Sequence, residues 1–160
     1  MKGLMSKVIV LAEGLYSSTA PVKYAVALAK AFGTEVVAVY VVDTAAIRQL
    51  AASRIFVDEE SEEYERSLEE TGRRRLALAR ELGKAKGVEI VTRLGKGSIV
   101  GEVLRIAEET EADCILIGGW ENKGDFRDIL VEASREIANF APCSVLIVKS
   151  QDAEKAYKTL

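Results

Sequence analysis

Five short apolar runs, separated by segments with helical periodicity, constrain the fold of this chain more than any other feature of its sequence. Four runs are apolar almost throughout, at residues 8–12, 36–42, 114–117 and 145–148. Strands of this composition are buried on both faces, as in parallel sheets covered by helices. The fifth run, residues 88–93, partly alternates and is typical of a less buried edge strand.

Four helical patterns lie between these runs, at about residues 18–32 and 59–86, after Ser98 and after Asp125. Pro21 in the first turn and Gly33 after the last turn are ordinary signals for the start and stop of the first helix. The alternation predicts a doubly wound α/β domain, with five parallel strands in the order 3-2-1-4-5 and four helices on the two faces.

The second helix separates its charges along its length. Residues 58–70 carry eight acids against one base, and residues 73–86 carry six bases against one acid. Acids first and bases last complement the helix dipole, so we expect a solvated face.

The length of 160 residues fits one domain, which we place at residues 1–150. Residues 43–57 read as a long connection with one helical turn at most. Residues 151–160 read as a polar C-terminal tail, frayed or lightly docked.

Composition excludes several kinds of chemistry. The chain has no histidine, which removes Ser-His-Asp triads, Cys-His dyads and histidine-ligated zinc. No acids are paired at catalytic spacing either, so we expect no enzyme activity and no metal. A net charge of −3, with no dense basic stretch, argues against nucleic acid as a partner.

The two cysteines, Cys114 and Cys143, both begin apolar runs, and we expect no structural disulfide between them. No apolar run approaches the length of a membrane span, and no signal-peptide pattern opens the chain. We therefore expect a cytoplasmic protein that does not bind membranes.

A ligand site is expected at the carboxyl ends of the first and fourth strands, because strand order reverses there. Residues 12–19 follow the first strand, and residues 118–125 follow the fourth. The glycine-rich segment at residues 95–98 lacks the spacing of a phosphate loop, so we interpret it as a turn with a helix cap.

Residues at these places resemble the universal stress protein family. Glu13-Gly14-Leu15 follows the first strand where members typically have Asp-Gly-Ser, and Ala141-Pro142-Cys143 precedes the last strand. The resemblance covers about residues 6–149. It implies a fold like that of the adenine nucleotide alpha hydrolases, and dimers formed through the last strand.

The family's nucleotide-binding members resemble one another in a signature of two glycines, nine residues, and a glycine followed by a hydroxyl residue. Aligned from Ala141 without gaps, its four positions fall on Gly118, Glu121, Val131 and Glu132, of which only Gly118 is kept. The nucleotide-binding positions that the resemblance implies are Ala12, Glu13, Val41, Gly118, Gly119, Glu121, Val131 and Glu132.

These departures place carboxylates where phosphates would lie, and residues 119–132 carry a net charge of −2. We therefore predict a stress-response binding or signalling module that is not an enzyme, does not bind ATP in the usual way, and acts with an unidentified protein partner. Adenine recognition in the family looks largely main-chain, near Val41, and it could survive these substitutions. The alternative is therefore a protein that binds ATP or AMP with altered phosphate contacts, or one that also hydrolyses ATP slowly.

Two other five-stranded α/β folds are alternatives to this interpretation. A flavodoxin-like FMN module is the minor alternative, since residues 16–19 are rich in hydroxyl groups before a helix. A response-regulator receiver is excluded, because it needs clustered aspartates that this chain lacks.

The last strand carries four consecutive apolar residues with no charge or proline among them, namely Val145, Leu146, Ile147 and Val148. In the predicted order this strand is an edge, and edges are normally guarded against pairing. We therefore predict a homodimer with these four residues at its centre.

Overall fold

The computed structural model describes residues 3–12, 19–118 and 127–160, with the side chains of residues 127–130 left aside. In this part of the chain strands and helices follow one another along the sequence. They are β1 (Lys7–Leu11), α1 (Ala20–Phe32), β2 (Glu35–Asp43), α2 (Thr44–Ala52), α3 (Asp58–Lys84), β3 (Ile90–Gly97), α4 (Ile99–Glu109), β4 (Cys114–Gly118), α5 (Arg127–Phe140), β5 (Ser144–Val148) and α6 (Ser150–Lys158).

The five strands form one parallel sheet in the order β3-β2-β1-β4-β5, which confirms the predicted topology. β1 is central, with Val8 opposite Val36 of β2 and Cys114 of β4. Its apolar residues are buried on both faces because helices cover each side of the sheet.

Two apolar cores lie on the two faces of the sheet. One contains Val10, Ala38 and Leu116 and is covered by α1, α3 and α6, while the other contains Ile9, Val39 and Ile115 and is covered by α4 and α5. Full burial of each such side chain stabilises the fold by about 1.5–3 kcal/mol. Because successive side chains of a strand point to opposite faces of the sheet, each strand contributes to both cores.

The cysteines belong to opposite faces. Cys114 is buried in the core under α1 and α3, whereas Cys143 packs against the core under α4 and α5. Neither forms a disulfide, as predicted.

Helix ends follow the predicted signals where the structure describes them. Gly33 ends α1 in a left-handed conformation with φ of 69°, and its N–H donates to the carbonyl of Ala29. Ser98 begins α4, and its Oγ accepts from the N–H of Gly101 at 3.1 Å. The cap expected at Asp125 lies outside the described residues.

The expectation of four helices is wrong, because the described residues form six. α2 occupies the segment interpreted as a long connection; Asp43 accepts from the N–H of Ala46 at 3.0 Å, and Ile47 is buried. α6 occupies the segment interpreted as a frayed or lightly docked tail. Ala153 is fully buried, and the hydroxyl of Tyr157 donates to the carbonyl of Leu82 at 2.9 Å.

The edge strand β3 begins and ends later than predicted. It pairs with β2 from Ile90 opposite Val36 to Gly97 opposite Asp43. Backbone pairing with the long strand β2 extends it through Gly95 and Lys96, which the sequence assigned to a turn. The predicted cap at the end of that segment, Ser98, is correct.

Candidate functional site

The carboxyl ends of β1 and β4 lie side by side, as the sequence predicts. Ala12 follows β1, is buried, and donates its N–H to the carbonyl of Val39 at 2.8 Å. Gly118 ends β4 opposite Val148 of β5. Two of the expected nucleotide-binding positions therefore belong to adjacent strand ends at one edge of the sheet.

β2 extends past the end of β1 at this edge. The last pair between them joins Leu11 to Val39, whereas Val41 pairs with Gly95 on the β3 side. Val41 is buried, and its side chain belongs to the core under α4. Its main chain thus lies beside the end of β1, where the family resemblance expects adenine recognition.

Packing does not require a glycine at position 118. A Cβ built there would meet the Cγ of Pro21 at 3.8 Å, which is an ordinary contact among the described residues. The glycine retained from the family signature is therefore compatible with a role beyond the packing of the strand.

Val131 and Glu132 lie inside α5, which begins at Arg127. Their N–H groups come after the first turn, so they are used by hydrogen bonds within the helix. Val131 is half-buried, and the exposed carboxylate of Glu132 pairs with Arg135 at 3.2 Å. The two positions therefore offer neither the backbone access of a glycine nor a hydroxyl donor.

Three of the expected positions, Glu13, Gly119 and Glu121, lie outside the described residues. The structure therefore brings together Ala12, Val41 and Gly118 at the strand ends, with Val131 and Glu132 on the helix that follows β4.

The sequence analysis missed a cleft of about 10 Å³, with room for one water molecule, between α1 and α3 at the same edge. Ala12, Thr19, Arg75 and Leu78 line it. Arg75 is half-buried, in contrast to the solvated face expected for the charges of α3, and it makes no ion pair with any residue that the structure describes. The position of Arg75 beside Leu76 and Leu78 was the available signal, because residues flanking an apolar stripe lie at its packing boundary.

The glycines at the end of β3 make room for a carboxylate. A Cβ at Gly95 would lie 3.0 Å from Oε2 of Glu102, and one at Gly97 would lie 3.3 Å from its Cγ. The side-chain hydrogen bond from Arg105 lowers the pKa of Glu102 despite some desolvation. An ionised carboxylate over this segment disfavours phosphate, which agrees with the prediction that the segment is not a phosphate loop.

Charges between α3 and β3 are paired. Lys96 lies 3.2 Å from Glu69 and 3.5 Å from Glu65. Hydrogen bonds from Arg73 and Lys96 lower the pKa of Glu69, and the hydrogen bond with Glu69 raises the pKa of Lys96. Lys96 is exposed and the two carboxylates are half-buried at the surface, so water screens the pairs and they contribute little to stability.

None of the helices in the described ranges has the length and apolar character needed to span a membrane. In the same ranges, no group of three or more cysteine and acidic side chains is arranged to hold a metal ion.

The sheet order, the helices on both faces and the adjacent ends of β1 and β4 define a doubly wound α/β domain of the class that binds ligands at the carboxyl edge. The universal stress protein family model matches residues 5–149. The chain therefore belongs to the universal stress protein family. The match ends before α6 begins.

Individual relatives agree with this assignment. Universal stress protein MJ0531 of Methanocaldococcus jannaschii is 29% identical over 153 residues, which cover 96% of this chain and 87% of that protein. The structure of hypothetical protein MJ0577 aligns with a TM-score of 0.72 at 18% identity, covering 92% of this chain and 97% of the other. A universal stress protein in complex with cAMP aligns with a TM-score of 0.63 at 21% identity, covering 92% and 99%.

Proposed function

We propose that this chain is a non-enzymatic binding or signalling module of the stress response, which does not hold ATP through the family's usual phosphate contacts. The observation that carries the proposal is the placement of Val131 and Glu132 within α5. Their amides are used by the helix, and the carboxylate of Glu132 would repel a triphosphate. Family membership supports the stress-response role.

The proposed module is a cytoplasmic homodimer. Val145, Leu146 and Ile147 of the edge strand β5 are partly exposed, while Val148 is buried. A second copy of β5, paired about a two-fold axis, would cover them.

The experiment is a measurement of the nucleotide that the purified protein carries. Protein is denatured, and the supernatant is analysed by mass spectrometry. We expect far less than one nucleotide per chain. ATP or AMP near one per chain would contradict the proposal, and FMN at that ratio would favour the flavodoxin-like alternative.

Adenine-nucleotide binding with altered phosphate contacts is the second candidate, and Arg75 is the observation that favours it. Arg75 is half-buried and lines the cleft together with Ala12 and Thr19, without an acidic partner among the described residues. Guanidinium groups bind phosphate well, and the family resemblance places adenine recognition near Val41. A relative in complex with cAMP makes such binding plausible. If nucleotide is found, Arg75→Ala should weaken its binding, whereas Arg80→Ala, on the exposed face of α3, should not.

A further inference from the structure

The turn between α2 and α3 displays apolar side chains to solvent. Ile55 is 63% exposed, Val57 is 61% exposed and Tyr64 is 43% exposed. Phe56 joins them through an edge contact with Tyr64, with ring centroids 5.5 Å apart. We call these four residues the α2–α3 tip. Adjacent exposed apolar residues of this kind typically mark an interaction surface.

Backbone hydrogen bonds and one left-handed residue fix the conformation of the turn that carries the tip. The N–H of Ile55 donates to the carbonyl of Leu50 at 2.9 Å, and Arg54 takes a left-handed conformation with φ of 58°. On the α3 side, the N–H of Ser61 donates to the carbonyl of Val57 at 3.0 Å. The turn is therefore closed at both ends by hydrogen bonds while its apolar side chains point away from the core.

Charge around the tip is predominantly negative. Residues 44–70 carry eight acids against Arg48, Arg54 and Arg66, a net charge of −5. The whole chain carries −3, so the rest of the molecule is slightly positive. Anionic partners, such as nucleic acid or an acidic lipid surface, would be repelled here, whereas a cationic partner would be attracted.

The tip also lies away from the proposed dimer interface. α3 packs on β2 and β3, and α2 packs on α3 and β3, at one side of the sheet, whereas β5 is the opposite edge. A homodimer formed through β5 therefore leaves the α2–α3 tip uncovered.

We propose that the α2–α3 tip docks a basic amphipathic helix of a partner protein, with the apolar face of that helix on the tip and its lysines or arginines toward the acids of α3. This inference rests on the proposed role as a binding or signalling module and names the chemistry of its partner. Apolar anchors within a charged rim are the arrangement by which amphipathic helices are recognised.

The test uses the full chain and a defined probe. The probe is a labelled peptide of about 18 leucines and lysines, with the leucines on one helical face, and its control has the same composition in scrambled order. Binding is followed by fluorescence anisotropy at physiological salt. We expect the amphipathic peptide to bind at least about tenfold more tightly than the scrambled one.

Matched variants separate the tip from general charge. Ile55→Ser with Val57→Ser should weaken peptide binding at least about tenfold. Val57 is the N-cap of α3, where serine is a favourable residue, so the double variant should retain the fold. Glu59→Gln with Glu60→Gln and Glu63→Gln should weaken it comparably at physiological salt. The control, Val91→Ser with Phe140→Ser, removes side chains that are 56% and 70% exposed elsewhere and should bind as the wild type does.

Three results would overturn the proposal. The first is equal binding of the scrambled and amphipathic peptides, and the second is peptide binding by the Ile55→Ser, Val57→Ser variant as tight as that of the wild type. The third is a light-scattering result in which the wild type forms an assembly larger than a dimer and this variant does not, because a second copy of the chain would then occupy the tip. The tip variants should leave the nucleotide content unchanged. A failure here is therefore distinguishable from a failure of the proposed function, which the nucleotide content and the response to ATP report.

Discussion

Close packing leaves no space for a side chain at Gly83, near the end of α3, whereas Gly118 at the end of β4 has space for a Cβ. A Cβ at Gly83 would lie 2.7 Å from the carbonyl oxygen of Val88, a backbone atom that cannot move aside. Gly83→Ala should gain up to about 1 kcal/mol of helix propensity but lose about 1–3 kcal/mol to overpacking. We expect a net loss of about 1–2 kcal/mol by denaturant titration. Gly118→Ala is the control and should change stability by about 0.5 kcal/mol at most; equal losses would contradict the packing.

Cys114 should be chemically inert in the folded protein. Burial raises the pKa of its thiol to about 11, with a smaller contribution from Cys143. At pH 8 we expect a thiol reagent to modify one cysteine at most before unfolding and both afterwards. Rapid modification of two thiols in the native protein would contradict the burial of Cys114.

The same shift predicts a pH dependence of stability. An unfolded thiol ionises near pH 8.5, whereas Cys114 in the fold keeps its proton to about pH 11. Between these values the unfolded chain binds fewer protons, so the free energy of unfolding should fall as the pH rises. Cys114→Ser should show a shallower fall between pH 9 and 11 than the wild type. Identical slopes would show that this thiol does not titrate differently on folding.

At the scale of elements, α6 should behave as part of the domain, although the family match ends at residue 149. Ala153 is fully buried, Lys23 forms an ion pair with Glu154, and the ammonium of Lys86 lies 4.8 Å from the ring centroid of Tyr157. Ala153→Glu should undock the helix and destabilise the fold by about 2 kcal/mol. Gln151→Glu, an equal charge change on the exposed face, should not.

Thermal unfolding and limited trypsin digestion test this prediction. The Ala153→Glu variant should melt several degrees lower and be cleaved rapidly after Lys149, because cleavage follows local unfolding. If both variants resist trypsin as the wild type does, α6 contributes nothing to the domain.

The elements that the sequence predicted correctly are those with a nearly continuous apolar run or a strong helical periodicity. The runs that became β1, β2, β4 and β5 are nearly all apolar, so their burial and parallel pairing followed directly. α2 and α6 were missed because each has one buried residue, Ile47 and Ala153, and packs mainly on another helix, α2 on α3 and α6 on α1. The same reason hid Arg75, which lines the cleft only because α3 packs beside α1.

The positions of the candidate site were predicted in part. The order of strands placed Ala12 and Gly118 at one edge, which the structure confirms. The location of Val131 and Glu132 within α5 agrees with the helical pattern predicted after Asp125, because the apolar periodicity of that segment continues to Ile137.

At the scale of the whole molecule, the exposed edge strand predicts the state of assembly. The chain has a mass of 17.4 kDa, and light scattering at tens of micromolar should give about twice that value. Ile147→Lys in β5 should yield monomer or insoluble protein, while Val91→Lys in the opposite edge strand should remain dimeric. A wild-type mass near that of one chain would contradict the dimer.

The response of thermal stability to ATP tests the central claim, which is that this universal stress protein lacks the usual phosphate contacts. A ligand present at 100 times its dissociation constant adds about 2.7 kcal/mol, or several degrees in Tm for a domain of this size. With millimolar Mg-ATP we predict the same Tm as with magnesium chloride at equal ionic strength. A rise of several degrees with Mg-ATP, absent from that control, would contradict the account.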